Sequence, residues 1–273
     1  NVVQTEFAKD MVSLPLFQRA EAEAWSLNLE GLRTTPTGYG TASAADWKLA
    51  DGGDTIVLGF SQEPASMFDL VESAAVQAMI SEMGKGVYNT EYDYDYQPVL
   101  QDGLSTVEAG LAKVEKVAVK AGDTVYSKAG EPVELAEGVE LLIDGETVVY
   151  DGSSELMMDQ QTVTYKWKPY TWSDGTPGSI EDTKLAFKIN CDPESGATDF
   201  NFCRQIANVE YAEDGSLAFT VTTLPGVLSP TYYVANWTIS PKAAFYPSHQ
   251  VLSDGRNLAD VPANEWKTLP EIA

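Results

Sequence analysis

Apolar positions along this chain repeat with two different periods. After Ser73 they recur at the three- and four-residue spacing of a helix that turns one face to a core, and the stripe consists of Val76, Met79, Ile80, Met83 and Val87. From Thr55 to Phe60 the residues instead form one continuous apolar run. Such a run is typical of a strand that is covered on both faces. The two patterns together predict helices packed against a sheet.

The segment 111–168 is rich in valine and threonine and contains frequent turn residues. Leu141–Ile143 and Thr147–Tyr150 flank Asp144-Gly145, a combination typical of a tight hairpin. Alternating apolar residues predict two further strands, one with Val163, Tyr165 and Trp167 and the other with Leu217, Phe219 and Val221. We interpret residues 111–165 as a β-rich insertion.

A second helix is predicted to begin after Ser179. Ser179 and Asp182 have the spacing of a capping box, in which each residue binds a backbone N–H of the other. Leu185, Ala186 and Ile189 follow on one helical face. The sequence therefore predicts a helix that begins next to a strand and packs on it.

The charge balance narrows the choice of partners. The chain has 273 residues, with 17 Lys and Arg against 41 Asp and Glu, a net charge of −24. Such a field repels nucleic acid and anionic lipid, so we expect neither as a partner. Solvation of the surface is the simpler explanation of the charge, and attraction of cationic ligands is the alternative. No apolar run is long enough to cross a bilayer.

The two cysteines, Cys191 and Cys203, lie 12 positions apart in a polar segment. Their spacing fits neither a zinc site nor a thioredoxin-type pair. A local disulfide fits better and implies an oxidising compartment, while two buried free thiols are the alternative.

Catalytic motifs are absent from the sequence. It has no nucleophile elbow, phosphate-binding loop, dinucleotide glycine motif or zinc-protease helix. The single histidine, His249, lies in a loop sequence without a partner at a recognisable spacing. We therefore predict that the chain is not an enzyme and has neither a metal nor a cofactor.

An aromatic-rich segment, Leu228–Trp237, does not alternate as a strand does. Its candidate ligand contacts are Tyr232, Tyr233, Asn236 and Trp237. Aromatic side chains offer a large, stiff apolar area with a polar tip, so they line ligand clefts as well as cores. Both interpretations remain open.

The run WSDGTP at Trp172–Pro177, followed by SIED at Ser179–Asp182, resembles a motif of the family 5 extracytoplasmic solute-binding proteins of ABC importers. Members of that family bind oligopeptides, dipeptides or nickel complexes. Further segments resemble the family in the same order, and they are Asp54–Met67, Tyr96–Leu100 and Ile239–Lys242. The β-rich insertion stands where the family has a short hairpin.

Two stretches, Phe7–Ala20 and Asn28–Leu32, are similar to the C-terminal end of the family, although here they come first. Family members build lobe I from both chain ends and lobe II from the middle. The resemblance thus implies lobe I in permuted or tandem-junction order. Residues 1–50 would be its C-terminal-type segment, and 51–110 and 166–273 its N-terminal-type part.

The resemblance implies an α/β lobe, with a mixed sheet, flanking helices and the β-rich insertion subdomain. It implies a periplasmic, cell-surface or secreted protein that captures peptides for the membrane subunits of an ABC importer. The family's ligand loop corresponds to Val71, Glu72 and Ser73. Glu72 either pairs with a ligand ammonium or is a carboxylate favoured at a helix N-terminus. The alternative function is an extracellular structural protein that self-associates.

Overall fold

The computed structural model describes residues 24–33, 40–60, 96–197, 201–235 and 245–269, together with positions 5, 6, 9, 63, 88 and 89. Positions 5, 6 and 9 are helical. The predicted helix after Ser73 lies outside the described residues.

Short strands dominate the described part of the chain. The strands are β1 Leu29–Glu30, β2 Lys48–Leu49, β3 Tyr88–Asn89, β4 Gln97–Pro98, β5 Ala112–Val119, β6 Thr124–Tyr126, β7 Pro132–Glu134, β8 Glu140–Ile143, β9 Glu146–Val149, β10 Leu156–Lys166, β11 Ile206–Tyr211 and β12 Ala218–Thr223. The α-helices are α1 Ile180–Asn190 and α2 Asn201–Gln205, and 3-10 helices cover Gly40–Asp46, Leu258–Asp260 and Ala263–Thr268.

The largest sheet has the strand order β11-β12-β10-β5. Its three strand pairs are all antiparallel. The prediction of a mixed sheet is therefore wrong for the described strands. The reason is that β11 and β12 form a hairpin, and β5 and β10 reverse direction through the intervening insertion.

The β5–β10 ribbon serves two separate cores. Near one end, Val119 and Met158 pack with the insertion hairpins β6–β7 and β8–β9. Near the other end, Ala112 and Val163 belong to a core beneath the main sheet. Successive strand residues point to opposite faces, so the two cores lie on opposite sides of the ribbon. The predicted hairpin is confirmed, because β8 and β9 pair around Asp144-Gly145, both with positive φ.

Helix α1 lies between the main sheet and the C-terminal segment. Ala186 and Phe187 pack into the core of the sheet, whereas Leu185 and Ile189 pack into a cluster with Trp266. All four side chains are buried, so the predicted apolar face is present. The helix therefore fixes the segment 245–269 against the sheet.

The apolar run Thr55–Phe60 departs from its prediction. It is extended but belongs to no strand among the described residues. Val57 is 88% exposed, and Ile56 and Phe60 are each 36% exposed. The prediction of a strand covered on both faces is wrong, because no described strand pairs with this segment.

Candidate ligand-binding region

The Trp172 motif forms a tight bend between β10 and α1. The Trp172 N–H donates to the Thr176 carbonyl at 2.9 Å, and the Gly175 N–H donates to the Trp172 carbonyl at 2.9 Å. Asp174 Oδ1 accepts from the Thr176 N–H at 2.8 Å. Asp and Gly favour such bends, and this one leads from the strand to the helix.

A fully buried carboxylate, that of Asp182, joins this bend to the C-terminal segment. Its Oδ2 atom accepts from the Tyr170 hydroxyl at 2.9 Å, the Trp172 indole N–H at 3.0 Å and the Ser179 N–H at 3.0 Å. Its Oδ1 atom accepts from the Ser248 N–H at 2.9 Å and the Ser248 hydroxyl at 2.6 Å. The bond from Ser179 is the Asp182 half of the predicted capping box.

Hydrogen bonding keeps the Asp182 carboxylate charged despite its burial. Burial alone raises the pKa of Asp182, but the bonds from Ser248, Ser179 and Trp172 outweigh it, so the pKa is lowered. The pKa of Tyr170 is raised, first by burial and then by the charge of Asp182. Tyr170 therefore remains a neutral donor to an ionised acceptor, which makes this a strong hydrogen bond.

Aromatic packing surrounds the buried carboxylate. The Tyr170 ring stacks on Phe245 with a centroid distance of 4.8 Å and contacts Trp172 edge-on at 5.7 Å. Gly178 lies directly under the Tyr170 ring, because a Cβ atom there would come within 2.2 Å of it. The absence of a side chain at this position therefore allows the ring to reach Asp182.

His249 has a partner that the sequence did not reveal. Its Nε2 atom lies 2.9 Å from Asp174 Oδ2, within the Trp172 motif. Hydrogen bonds from the Thr176 N–H and from His249 lower the pKa of Asp174. His249 therefore links the bend to the C-terminal segment.

The aromatic loop that precedes Asn236 is held by Gln101, whose side chain is fully buried. Gln101 Nε2 donates to the carbonyls of Gly103 and Tyr233, both at 2.9 Å. Gln101 Oε1 accepts from the Ala235 N–H at 3.1 Å. The Ser105 N–H also donates to the Tyr233 carbonyl, at 2.9 Å. The backbone of this loop is thus fixed by groups far away in sequence.

Tyr232 and Tyr233 are partly buried, and their rings contact each other edge-on at 5.7 Å. Tyr96 contacts Tyr233 edge-on at 5.8 Å. The buried Tyr165 hydroxyl donates to the Tyr232 carbonyl at 2.6 Å, and Leu228 in the same loop is 50% exposed. A fixed backbone with half-open rings can hold a ligand by apolar contact. Gln101 is the member of this region that sequence reasoning missed.

The remaining predicted ligand contacts are Val71, Glu72, Ser73, Asn236 and Trp237, and all five lie outside the described residues. Their prediction therefore stays a prediction. Asn236 and Trp237 directly follow the fixed loop in sequence.

The predicted disulfide is present between Cys191, which follows α1, and Cys203 in α2. It closes the segment between the two helices and connects α1 to the start of β11. Such bonds are typical of proteins in oxidising compartments.

The described residues contain no group of three or more His, Cys, Asp or Glu side chains placed to hold a metal ion. Among these same residues, no helix combines the length and the apolar character needed to cross a membrane.

No protein-family model matches the chain, and no curated protein sequence matches it significantly. A solved structure with some similarity is the oligopeptide-binding protein from Thermus thermophilus in complex with a pentapeptide. The match has a TM-score of 0.40 and 18% sequence identity, and it covers 64% of this chain. The matched region spans 25% of that protein's chain.

Proposed function

We propose that the chain is a lobe of an extracytoplasmic solute-binding protein that captures peptides for an ABC importer. The observation that carries this proposal is the set of hydrogen bonds that converge on the buried carboxylate of Asp182. Trp172 and Asp182, which occur together in the motif resembling the family 5 proteins, are hydrogen bonded to each other in one unit. The motif residues therefore have a shared structural purpose, since they set the bend on which α1 and the C-terminal segment are built.

Two further observations support the proposal. The Cys191–Cys203 disulfide is suited to an oxidising, extracytoplasmic compartment. The net charge of −24 is suited to a protein that meets neither nucleic acid nor anionic membrane surfaces.

The proposed ligand contacts are the Tyr232 and Tyr233 rings. Their backbone is fixed by Gln101, so a ligand would meet rings that are already in position, and little entropy would be lost on binding. We place Val71, Glu72, Ser73, Asn236 and Trp237 in the same proposed site. An extended peptide would add hydrogen bonds from its main chain, which do not depend on its side chains.

The experiment is thermal unfolding of the chain with peptides of two to five residues. At a peptide concentration near 100 times the dissociation constant, we expect the Tm to rise by about 5–10 °C. Tyr232→Leu and Tyr233→Leu should reduce this rise, because they remove the ring and the hydroxyl but keep an apolar side chain. Tyr126→Leu is the matched control, because Tyr126 is a partly buried tyrosine in the insertion strand β6.

Titration calorimetry on the same variants separates binding from stability. A heat of peptide binding that is weaker in the Tyr232 and Tyr233 variants, and unchanged in the Tyr126 control, would support the proposal. If no peptide changes either the heat signal or the Tm at millimolar concentration, the chain does not bind peptides as proposed.

A further inference from the structure

The segment Thr55–Phe60 has the sequence of a strand but none of the interactions of one. No backbone N–H or C=O group in it is hydrogen bonded to another described residue. Its apolar side chains are open to solvent, most of all Val57 at 88% exposure. An exposed apolar segment with an unpaired backbone is a template for pairing with another strand.

The segment directly follows a turn that is held by hydrogen bonds to Asp51. The Asn28 side chain donates to Asp51 Oδ2 at 2.9 Å and accepts from the Asp51 N–H at 3.1 Å. The Gly53 N–H donates to Asp51 Oδ1 at 3.0 Å. Just before this turn, β1 and β2 pair through Leu29 and Leu49. The start of the segment is therefore held, and only the segment itself lacks a partner among the described residues.

The main sheet offers two open edges among the described strands, β5 and β11. Edge strand β5 carries Lys113, Glu115 and Lys116, all in ion pairs. Charged side chains of this kind protect an edge strand from pairing. The β11 edge is therefore the better acceptor.

Strand β11 has six residues, as many as the segment. Its apolar residues Ile206, Val209 and Tyr211 are partly buried and pack against the core beneath the sheet. The pairing of β11 with β12 is irregular only between Ile206 and Asn208. The apolar edge of the core therefore remains partly open to solvent along this strand.

The segment is complementary to that edge in shape. In an extended chain, Ile56, Leu58 and Phe60 point to one side. A strand paired with β11 would place these three side chains beside Val209 and Tyr211, where they would extend the same core. Because Thr55, Val57 and Gly59 point to the opposite side, the larger side chains would be the ones buried.

Charged side chains lie at both ends of the edge and of the segment. Arg204 precedes β11 by two positions and is exposed. At the other end, the Lys184 Nζ atom lies 5.4 Å from the centroid of the Tyr211 ring. The segment is flanked by Asp54 and Glu63. Arg204 is ion paired with Glu131 at 3.1 Å and Lys184 with Glu181 at 2.6 Å, so in either strand direction each acidic flank would lie beside an existing ion pair.

We propose that Thr55–Phe60 of one copy of this chain adds as a strand to β11 of a second copy. The described part of a single chain leaves both the segment and the edge unpaired, and a reciprocal exchange between two copies pairs both at once. The two copies repel each other, since each carries a net charge of −24. The dimer should therefore strengthen with salt, which screens this repulsion. This surface is independent of the proposed peptide site.

Sedimentation equilibrium without peptide tests the proposal at about 0.05 M and about 0.5 M salt. We expect a dimer whose dissociation constant falls as salt rises. Replacing Ile56 and Leu58 together by Asn should weaken the dimer by about tenfold or more, because both apolar side chains are buried in the exchanged strand. Leu27→Asn is the matched control, because Leu27 is 99% exposed and lies outside the segment. The control should leave the dimer unchanged.

Cross-linking tests the contact directly. Both native cysteines are bonded to each other, so an introduced cysteine provides a defined free thiol. A mixture of a Val57→Cys chain and an Asn208→Cys chain should form a disulfide between the two chains. A monomer at both salt concentrations would overturn the proposal. An equally tight dimer of the variant with Asn at positions 56 and 58 would also overturn it. The same holds if a chain carrying both cysteine substitutions cross-links within itself while the mixed single variants do not cross-link.

Discussion

Two strand-like segments of this chain end in opposite environments. Val163, Tyr165 and Trp167, in β10 and directly after it, are fully buried. Thr55–Phe60 has an equally apolar sequence, yet Val57 is 88% exposed. The difference cannot come from the apolar character of the segments, since both have it.

The difference lies in the partners. Strand β10 has β12 on one side and β5 on the other, and the Trp167 indole N–H donates to Thr183 Oγ1 in α1 at 2.8 Å. The segment Thr55–Phe60 has no such neighbour among the described residues. Apolar character indicates that a segment gains by burial, and the neighbouring strands decide whether burial occurs.

The largest expected effect comes from comparing a buried tryptophan with an exposed one. Trp167→Ala should lower the free energy of unfolding by about 3–5 kcal/mol, because it leaves a large cavity in the core and leaves Thr183 without its donor. Trp25→Ala should change it by no more than about 0.5 kcal/mol, since Trp25 is 47% exposed. Urea unfolding of both variants measures the comparison. Equal losses would mean that Trp25 packs against the chain in solution.

The second comparison is between two aspartates that hold chain turns. Asp182 is buried and accepts from four residues, while Asp51 holds the exposed turn before Thr55. Asp182→Asn should cost about 2–4 kcal/mol at neutral pH, because an amide presents a donor where donors already converge. Asp51→Asn should have little effect, since water replaces its hydrogen bonds. Urea unfolding at neutral pH measures both, and equal losses would contradict the comparison.

The Asp182 contribution should depend on pH. The folded chain lowers the pKa of Asp182, so the unfolded chain takes up the proton at higher pH than the folded chain does. The stabilisation is therefore complete above the ordinary aspartate pKa of about 3.9 and is lost as the pH falls through the lower folded value. Urea unfolding between neutral and acid pH should show a smaller loss of stability in Asp182→Asn than in the unchanged chain. If the free energy of unfolding falls with pH equally in both chains, other carboxylates cause the loss of stability in acid.

Local features of the fold could be predicted from the sequence. The Asp144-Gly145 hairpin, the Ser179–Asp182 cap and the Cys191–Cys203 disulfide each depend on residues close together in the chain. Their chemistry is complete within a short window, so a pattern in that window is sufficient.

The contacts that assemble the candidate site could not be predicted in this way. Ser248 reaches Asp182 across 66 positions, His249 reaches Asp174 across 75, and Gln101 reaches Tyr233 across 132. Serine, histidine and glutamine carry no signal of their distant partners. The wrong strand prediction for Thr55–Phe60 has the same cause, because a strand requires a neighbour that its own residues do not specify.

The smallest effects come from one substitution made in both segments. Val163→Ala should lower the free energy of unfolding by about 2 kcal/mol, because two methyl groups leave a closed core. Val57→Ala should change it by no more than about 0.5 kcal/mol. Both should be measured by urea unfolding at low protein concentration and low salt, where the proposed dimer is dissociated. A loss for Val57→Ala as large as that for Val163→Ala would mean that Thr55–Phe60 is already buried within the single chain. In the proposed pairing Val57 points away from the core, so Val57→Ala should stay neutral as the protein concentration rises.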